Sequence, residues 1–345
     1  MSKSQIILLK KRSMYYNDKK QILKDLFGAT IVCVESSWIS VDNHKYPIVD
    51  DVIILLDPWE YPSTLDKRIE WNEPQLRKEP IGFAEDIQFT FGEEWKKFSK
   101  VMPEHEKEFQ KYFDLVDLSK FKDLRICDLG CGIGRWSFFL SEKCREIVLV
   151  DFSDAIFVAR RNLIGCQNAL FFMGNMAKLP FRNDFADFIF CLGVLHHLPN
   201  PALDAARALH RYAPQILIYL YYALDNRPFY FITLFSVATG MRRITSAIRN
   251  PIFRNIFTTV MTLGIYLPMI ALGTLLQPFG FAQYVPLFET YKGKSIERIR
   301  QDVYDRFFTG IEQRYNRRKI LELKDTFSRV VISEQMPYWH FICER

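Results

Sequence analysis

The sequence predicts a doubly wound α/β domain built on a seven-stranded, mainly parallel sheet. Apolar β-branched runs alternate with helical patterns from Arg125 to Tyr222. A glycine-rich turn separates the first run from the first helix, and a carboxylate ends the second run.

The strand candidates are Arg125–Leu129, Glu146–Val150, Ala169–Met173, Asp187–Leu192 and Gln215–Tyr222. Helical patterns occupy Arg135–Lys143, Ser153–Leu163 and Pro201–Tyr212. The last opens with Asn200 as N-cap and Pro201 at the first helical position, where a missing N–H costs nothing. Val330–Ser333 and Trp339–Cys343 complete the seven strands as a closing hairpin. Three regions result. A small accessory region, 1–61, has β-like runs at Thr30–Val34 and Tyr46–Leu56, the second turned at Asp50-Asp51. A polar helical connector covers 62–120, and the main domain covers 121–345 with a helical, apolar insertion at 226–289.

Composition bounds the partners. The net charge of +6 arises from 46 basic and 40 acidic residues among 345, an excess too small for nucleic-acid binding but compatible with a phosphate-bearing ligand or an anionic membrane surface. Seven cysteines without a C-x-x-C pair give neither a disulfide framework nor a zinc ribbon, and no metal site is expected. Free thiols suit a cytoplasmic location. The basic N-terminus carries too short an apolar run for a signal peptide.

The motif Asp128-Leu129-Gly130-Cys131-Gly132-Ile133-Gly134 stands where a strand passes into a helix. Glycines there allow a tight turn and close approach of the backbone to a ligand. A dinucleotide fingerprint would place its third glycine at position 135, which is Arg135. A nicotinamide-dependent oxidoreductase is therefore disfavoured. Asp128 can accept from an ammonium group, and Asp151, at the tip of the next strand, can accept from both hydroxyls of a ribose.

Together these residues resemble the first two motifs of class I S-adenosylmethionine-dependent methyltransferases, which have a Rossmann-like sheet. Gly174–Pro201 is similar to that family's "GDA…LPF…VLHHL" stretch. The resemblance implies S-adenosylmethionine as cofactor, with Asp128, Gly130, Cys131, Gly132, Gly134, Asp151, Phe152, Asn175, Met176 and Leu192 around it. Asn175 replaces the family's aspartate facing the adenine amino group; its carbonyl can still accept, without charge assistance. A non-catalytic cofactor-binding scaffold is the alternative that this departure leaves open.

His196 and His197 follow the fourth strand at the end where ligands of open α/β sheets bind. Either imidazole can serve as a base for a hydroxyl acceptor; alternatively, one packs on the cofactor and the other caps the next helix. Methyl transfer from a sulfonium is an in-line displacement favoured by a dry, aromatic pocket, for which Trp136, Phe138, Phe139, Phe190 and Phe307 are candidates. On the flanks, Thr90–Phe98 resembles an "SFGYEW" segment of methyltransferases encoded among surface-polysaccharide genes. Lys45–Leu56 resembles the end of a Trm112-like module that has lost its cysteines. Asp302–Leu323 resembles a segment that faces the acceptor with an Asp and an Arg, here Asp305 and Arg314.

No charged residue occurs between Arg254 and Glu289. Ile256–Leu276 is long enough to span a bilayer, but the chain must return to the same side to supply its last strands. Arg242, Arg243, Arg249 and Arg254 would also cross against the positive-inside tendency, and Pro268 and Pro278 interrupt the run. The insertion therefore reads as an apolar lid or as interfacial helices with the arginines near headgroups. The expected acceptor is a small molecule or a lipid-linked glycan intermediate, methylated at a peripheral membrane site.

Overall fold

The computed structural model describes residues 15–66, 68–69, 88, 92, 94 and 97–345. Helix α1 (Lys20–Phe27) ends at Gly28 in the left-handed region, which closes the last turn. Strands β1 (Val32–Val34), β2 (Trp38–Val41), β3 (His44–Val49) and β4 (Val52–Ile54) follow as an antiparallel meander. The β3–β4 turn is Asp50-Asp51, both with positive φ (46° and 62°), as a two-residue hairpin with the right-handed strand twist requires. Helix α2 (Glu104–Tyr112) then leads into the main domain.

There the alternation read from the sequence appears as β5 (Arg125–Leu129), α3 (Arg135–Leu140), β6 (Glu146–Asp151), α4 (Ala155–Asn162), β7 (Ala169–Met173), β8 (Phe188–Leu192), α5 (Ala202–Leu209) and β9 (Gln215–Tyr219). After the insertion, β10 (Arg329–Ile332) and β11 (His340–Glu344) form the closing hairpin, with β11 antiparallel to β9. Strands β5, β7 and β8 are buried at every residue, the pattern of a parallel sheet covered on both faces. One face packs α3 and α4 through Trp136, Leu140 and Ile156, and the other packs α5 through Ala202, Leu203 and Ala206. Each fully buried Ile, Val, Leu or Phe contributes about 1.5–3 kcal/mol by leaving water.

Among the described residues the sheet has eleven strands rather than seven, in the order β1-β2-β3-β4-β7-β6-β5-β8-β9-β11-β10. The expected seven lie within it. The excess comes from the N-terminal region, whose β4 pairs in parallel with β7, Ile53 opposite Phe172 and Ile54 opposite Met173. Tyr16 fastens this join: its hydroxyl donates to the Asp51 carbonyl at 2.8 Å and accepts from the Phe171 N–H at 3.2 Å. The described part of region 1–61 thus extends the main sheet.

Helix α5 starts one residue later than expected, and Asn200 does not cap it by its side chain. The Ala202 N–H donates instead to Gln313 Oε1 (3.1 Å) and Tyr315 Oη (2.9 Å), which arrive from the far side of the insertion.

The insertion is helical: α6 (Phe229–Thr245), α7 (Pro251–Met261) and α8 (Leu267–Leu276). Pro268 does not break it. A π turn over Thr262–Tyr266 shifts the hydrogen-bond register just before the proline, and the helix runs on. Helix α9 (Ile296–Phe308) then packs against α6 and α7 through Ile299, Val303, Phe307 and Phe308.

Candidate active site

Parallel strands deliver their carboxyl ends to one edge, and the loops leaving β5, β6, β8 and β9 line a cavity of about 380 Å³ there. The glycine loop forms its floor. Gly130 has φ 76°, and a Cβ there would come within 2.4 Å of Val194 Cγ2, so only glycine fits. Gly132, also left-handed at 54°, donates its N–H to Asp151 Oδ2 at 2.8 Å. Asp151 Oδ1 accepts from the N–H and hydroxyl of Ser153 at 2.8 and 2.7 Å. The carboxylate is thus held at the tip of β6, facing the cavity, although burial raises its pKa.

Gly130, Cys131, Gly132, Asp151, Phe152, Asn175, Met176 and Leu192 all line the cavity, as do His197, Asp305 and Arg314. Asp128, Gly134 and His196 do not. Asp128 lies beneath the loop, where Oδ2 accepts from Ser137 Oγ at 2.6 Å and burial pushes its carboxyl up to about 8. Gly134 is where α3 starts against α4, since a Cβ would meet Leu163 Cδ1 at 2.8 Å. Asn175 is already engaged: Oδ1 caps the following turn by accepting from the Ala177 N–H, and Nδ2 donates to Glu60 Oε1. Of the aromatic candidates only Trp136 reaches the cavity; Phe190 and Phe307 are core, and Phe138 is exposed.

The two histidines separate. His196 is fully buried, stacks on Tyr221 at 3.9 Å, and neither ring nitrogen finds a hydrogen-bond partner among the described residues. Burial, then the neighbouring His197 and Arg314, hold its pKa well below the usual range. His197 Nδ1 lies 2.7 Å from the Ile311 carbonyl. A carbonyl only accepts, so Nδ1 carries a proton, and in a neutral ring the lone pair then falls to Nε2. Asp305, on α9, accepts from the Tyr221 hydroxyl and from Thr309 Oγ1 at 2.8 Å. Arg314 donates Nε to Glu312 and Nη1 to the Tyr222 carbonyl, while its plane lies 3.7 Å from the centre of the Phe235 ring. Arg314 Nη2 is buried without a hydrogen-bond partner among the described residues.

The far wall is built by residues that the sequence reading passed over. Helix α2 supplies Glu108, Lys111 and Tyr112, and α9 supplies Arg298 and Asp302. Against the burial that would raise it, Arg298 and Lys294 hold Glu108 well below the usual carboxylate range. Arg135, at the start of α3, presents a buried guanidinium beside the glycine loop. Glu94 carries a carboxyl pushed well up by burial and by Asp305. It belongs to the Thr90–Phe98 segment, whose Thr90, Phe91, Glu93, Trp95 and Lys96 lie outside the described residues. Spacing puts Glu108, Lys111 and Tyr112 on one face of α2, but it does not say what that face covers.

A glycine-rich bend, a carboxylate at the tip of β6 and an adjoining cavity fit a nucleoside with an amino-acid tail. Residues 126–213 match the family model described as a methyltransferase domain. Over these residues the chain carries a methyltransferase domain. No curated protein matches the sequence. Among solved structures, the methyltransferase domain is similar to phosphoethanolamine N-methyltransferase 1 of Haemonchus contortus, with phosphoethanolamine and S-adenosylhomocysteine: 17% identity, 38% of this chain, TM-score 0.32. The match spans 31% of that enzyme's length. Magnesium protoporphyrin IX methyltransferase of Synechocystis PCC 6803, with bound S-adenosylhomocysteine, shares 15% identity over 75% of this chain and 96% of its own, TM-score 0.38. A S-adenosylmethionine-dependent methyltransferase from Aquifex aeolicus shares 22% over 36% of this chain and 71% of its own, TM-score 0.32.

Proposed function

We propose that the protein methylates a hydroxyl of a small, lipid-linked acceptor of the glycan-intermediate type, with His197 as general base. The cofactor supplies an activated methyl on a sulfonium. The residues around it do the rest: Asp151 holds the ribose, Gly130 and Gly132 give the amino-acid tail close access to backbone, and Arg135 stands where its carboxylate needs a cation. Met176 and Leu192 give the adenine an apolar bed.

The observation that carries the reading is the hydrogen bond between His197 Nδ1 and the Ile311 carbonyl. The Nδ1–H is spent there, so Nε2 receives the acceptor's proton, and Asp305 stands 4.0 Å away to stabilise the resulting imidazolium. Arg314 Nη2, buried without a hydrogen-bond partner among the described residues, is a donor for an acceptor oxygen. Helix α6 stands behind Arg314 at this end of the cavity, with Phe235 against its guanidinium, and Tyr219, Tyr221 and Trp136 give the cavity an aromatic wall that favours dispersal of the sulfonium charge. The N-terminal region, which resembles a degenerate Trm112-like module, serves as a packing extension and brings Glu60 to Asn175. In this reading the protein works peripherally, at the cytoplasmic face of a membrane.

Calorimetry with S-adenosylhomocysteine tests cofactor binding. Transfer of radiolabelled methyl into a lipid extract tests the acceptor class: label confined to water-soluble products would remove the lipid-linked acceptor. Saturable cofactor binding without transfer to any extract would favour a scaffold role.

A further inference from the structure

A buried cluster at the acceptor end of the cavity carries more guanidinium groups than carboxylates to meet them. Arg242, Arg306 and Arg314 converge there on Glu312. Both oxygens of that carboxylate are taken: Oε1 accepts from Arg314 Nε and Oε2 pairs with Arg242 Nη1, each at 2.8 Å. Against the burial that would raise it, Arg314, Arg306 and Arg242 hold the Glu312 carboxyl below its usual range. Two of the arginines expected near headgroups are thus turned inward, Arg242 to Glu312 and Arg254 to the Ile248 carbonyl (2.7 Å) and Tyr304 Oη (3.1 Å).

Arg306 is left over. Among the described residues no carboxylate comes within ion-pair distance of it, and Glu312 acts on it only from further off. Its Nε is buried without a hydrogen-bond partner among the described residues, as is Arg314 Nη2. The oxygen beside Arg306 belongs to Tyr266, a hydroxyl whose pKa burial raises. The Arg306 and Arg314 guanidinium groups lie 5.6 and 3.7 Å from the centre of one ring, Phe235, and both residues line the cavity. The other carboxyls at this end do not answer them. Asp305 is bound by the hydroxyls of Tyr221 and Thr309. The Glu94 carboxyl is pushed well up by burial and by Asp305, which leaves it without charge. Two like charges held together away from water are costly unless an anion meets them.

We infer that Arg306 and Arg314 together seat an anionic group of the acceptor, a carboxylate or a phosphate, beside the hydroxyl that His197 deprotonates. Planar guanidinium groups hold such oxygens by charge-assisted hydrogen bonds, and Arg306 Nε and Arg314 Nη2 are the donors left for them. The site adjoins the base. Arg314 lies 5.3 Å from the centre of the Tyr221 ring, the Tyr221 hydroxyl donates to Asp305, and Asp305 stands 4.0 Å from His197 Nε2. Arg135, beside the glycine loop, is a separate cation that serves the cofactor's carboxylate. The inference rests on the proposed reading and deepens it by giving the acceptor a charge.

The test is titration calorimetry of the full chain, saturated with S-adenosylhomocysteine so that Arg135 is occupied, against glucuronate, glucose 6-phosphate and glucose. At least one charged sugar is expected to bind about tenfold or more tightly than glucose, and which of the two does so separates carboxylate from phosphate. Arg306→Met and Arg314→Met should each lower that preference about tenfold. Both variants should keep their binding of S-adenosylhomocysteine, which shows that they fold. Should a methionine variant lose it, Arg306→Lys takes its place: the charge stays, the planar fork goes, and the preference should still fall. Binding of neither charged sugar, or binding no tighter than that of glucose, would overturn the inference. So would a preference for the charged sugars left unaltered by the substitutions. Failure of the wild type to bind S-adenosylhomocysteine would instead remove the methyltransferase reading on which the inference rests.

Discussion

His197 Nε2 stands 4.0 Å from Asp305 Oδ1, and its other ring nitrogen is bound to the Ile311 carbonyl. The carboxylate belongs to α9 and the imidazole to the loop after β8, so the pair exists only when α9 is packed over the strand ends. If Nε2 takes the acceptor proton, His197→Gln should lower kcat by about 10²–10⁴-fold. Affinity for S-adenosylhomocysteine should hold, because His197 touches the acceptor end. Single-turnover transfer of labelled methyl, beside calorimetry, checks both halves. His196→Phe should retain turnover, since it removes two buried nitrogens that have no hydrogen-bond partner among the described residues.

Asp151→Ala should weaken S-adenosylhomocysteine binding by about 2–3 kcal/mol, the loss of two charge-assisted hydrogen bonds to a ribose. Titration calorimetry reads this directly. An unchanged affinity would show that the tip of β6 does not hold the sugar.

Asp128→Asn should change the pH dependence of folding. Burial raises the Asp128 carboxyl to about 8 in the folded protein, whereas an unfolded Asp titrates near about 4. Between these values the folded form retains a proton that the unfolded form gives up. The wild type therefore loses stability as pH rises from about 4 to about 8. The asparagine variant cannot ionise and should escape that loss, gaining on the wild type as pH rises. Urea unfolding at both ends of the window measures it.

Gly130→Ala should destabilise by about 1–2 kcal/mol for the left-handed backbone and by about 1–3 kcal/mol more for the clash. The added Cβ would lie 2.4 Å from Val194 Cγ2. Combining it with Val194→Ala should recover the second part only, as read by chemical denaturation.

The glycine loop, Asp151 and the order of the main-domain strands were legible because each is local. A strand–turn–helix signature or a strand tip fits within a few residues of chain. Glu108, Arg298 and Arg135 were not legible as cavity residues. On the sequence they are ordinary charges on helices, and only the packing of α2 and α9 over the strand ends turns them inward. The parallel pairing of β4 with β7 was equally hidden. Val52–Ile54 is three residues long and buried throughout, so it shows no alternation by which to recognise a half-covered strand. The bond from Ser137 Oγ, on the following helix, to Asp128 Oδ2 was hidden too, since nothing in the motif announces it.

Because β4 lies beside β7, the N-terminal meander is a seam in the main sheet and not a detachable appendage. Cutting the chain after Tyr61 would bare the backbone of Ala169–Met173, an all-apolar strand, to whatever edge came near. A shortened catalytic half should therefore be lost to intermolecular β pairing before its chemistry could be assayed, and the accessory strands act as a built-in guard against self-association.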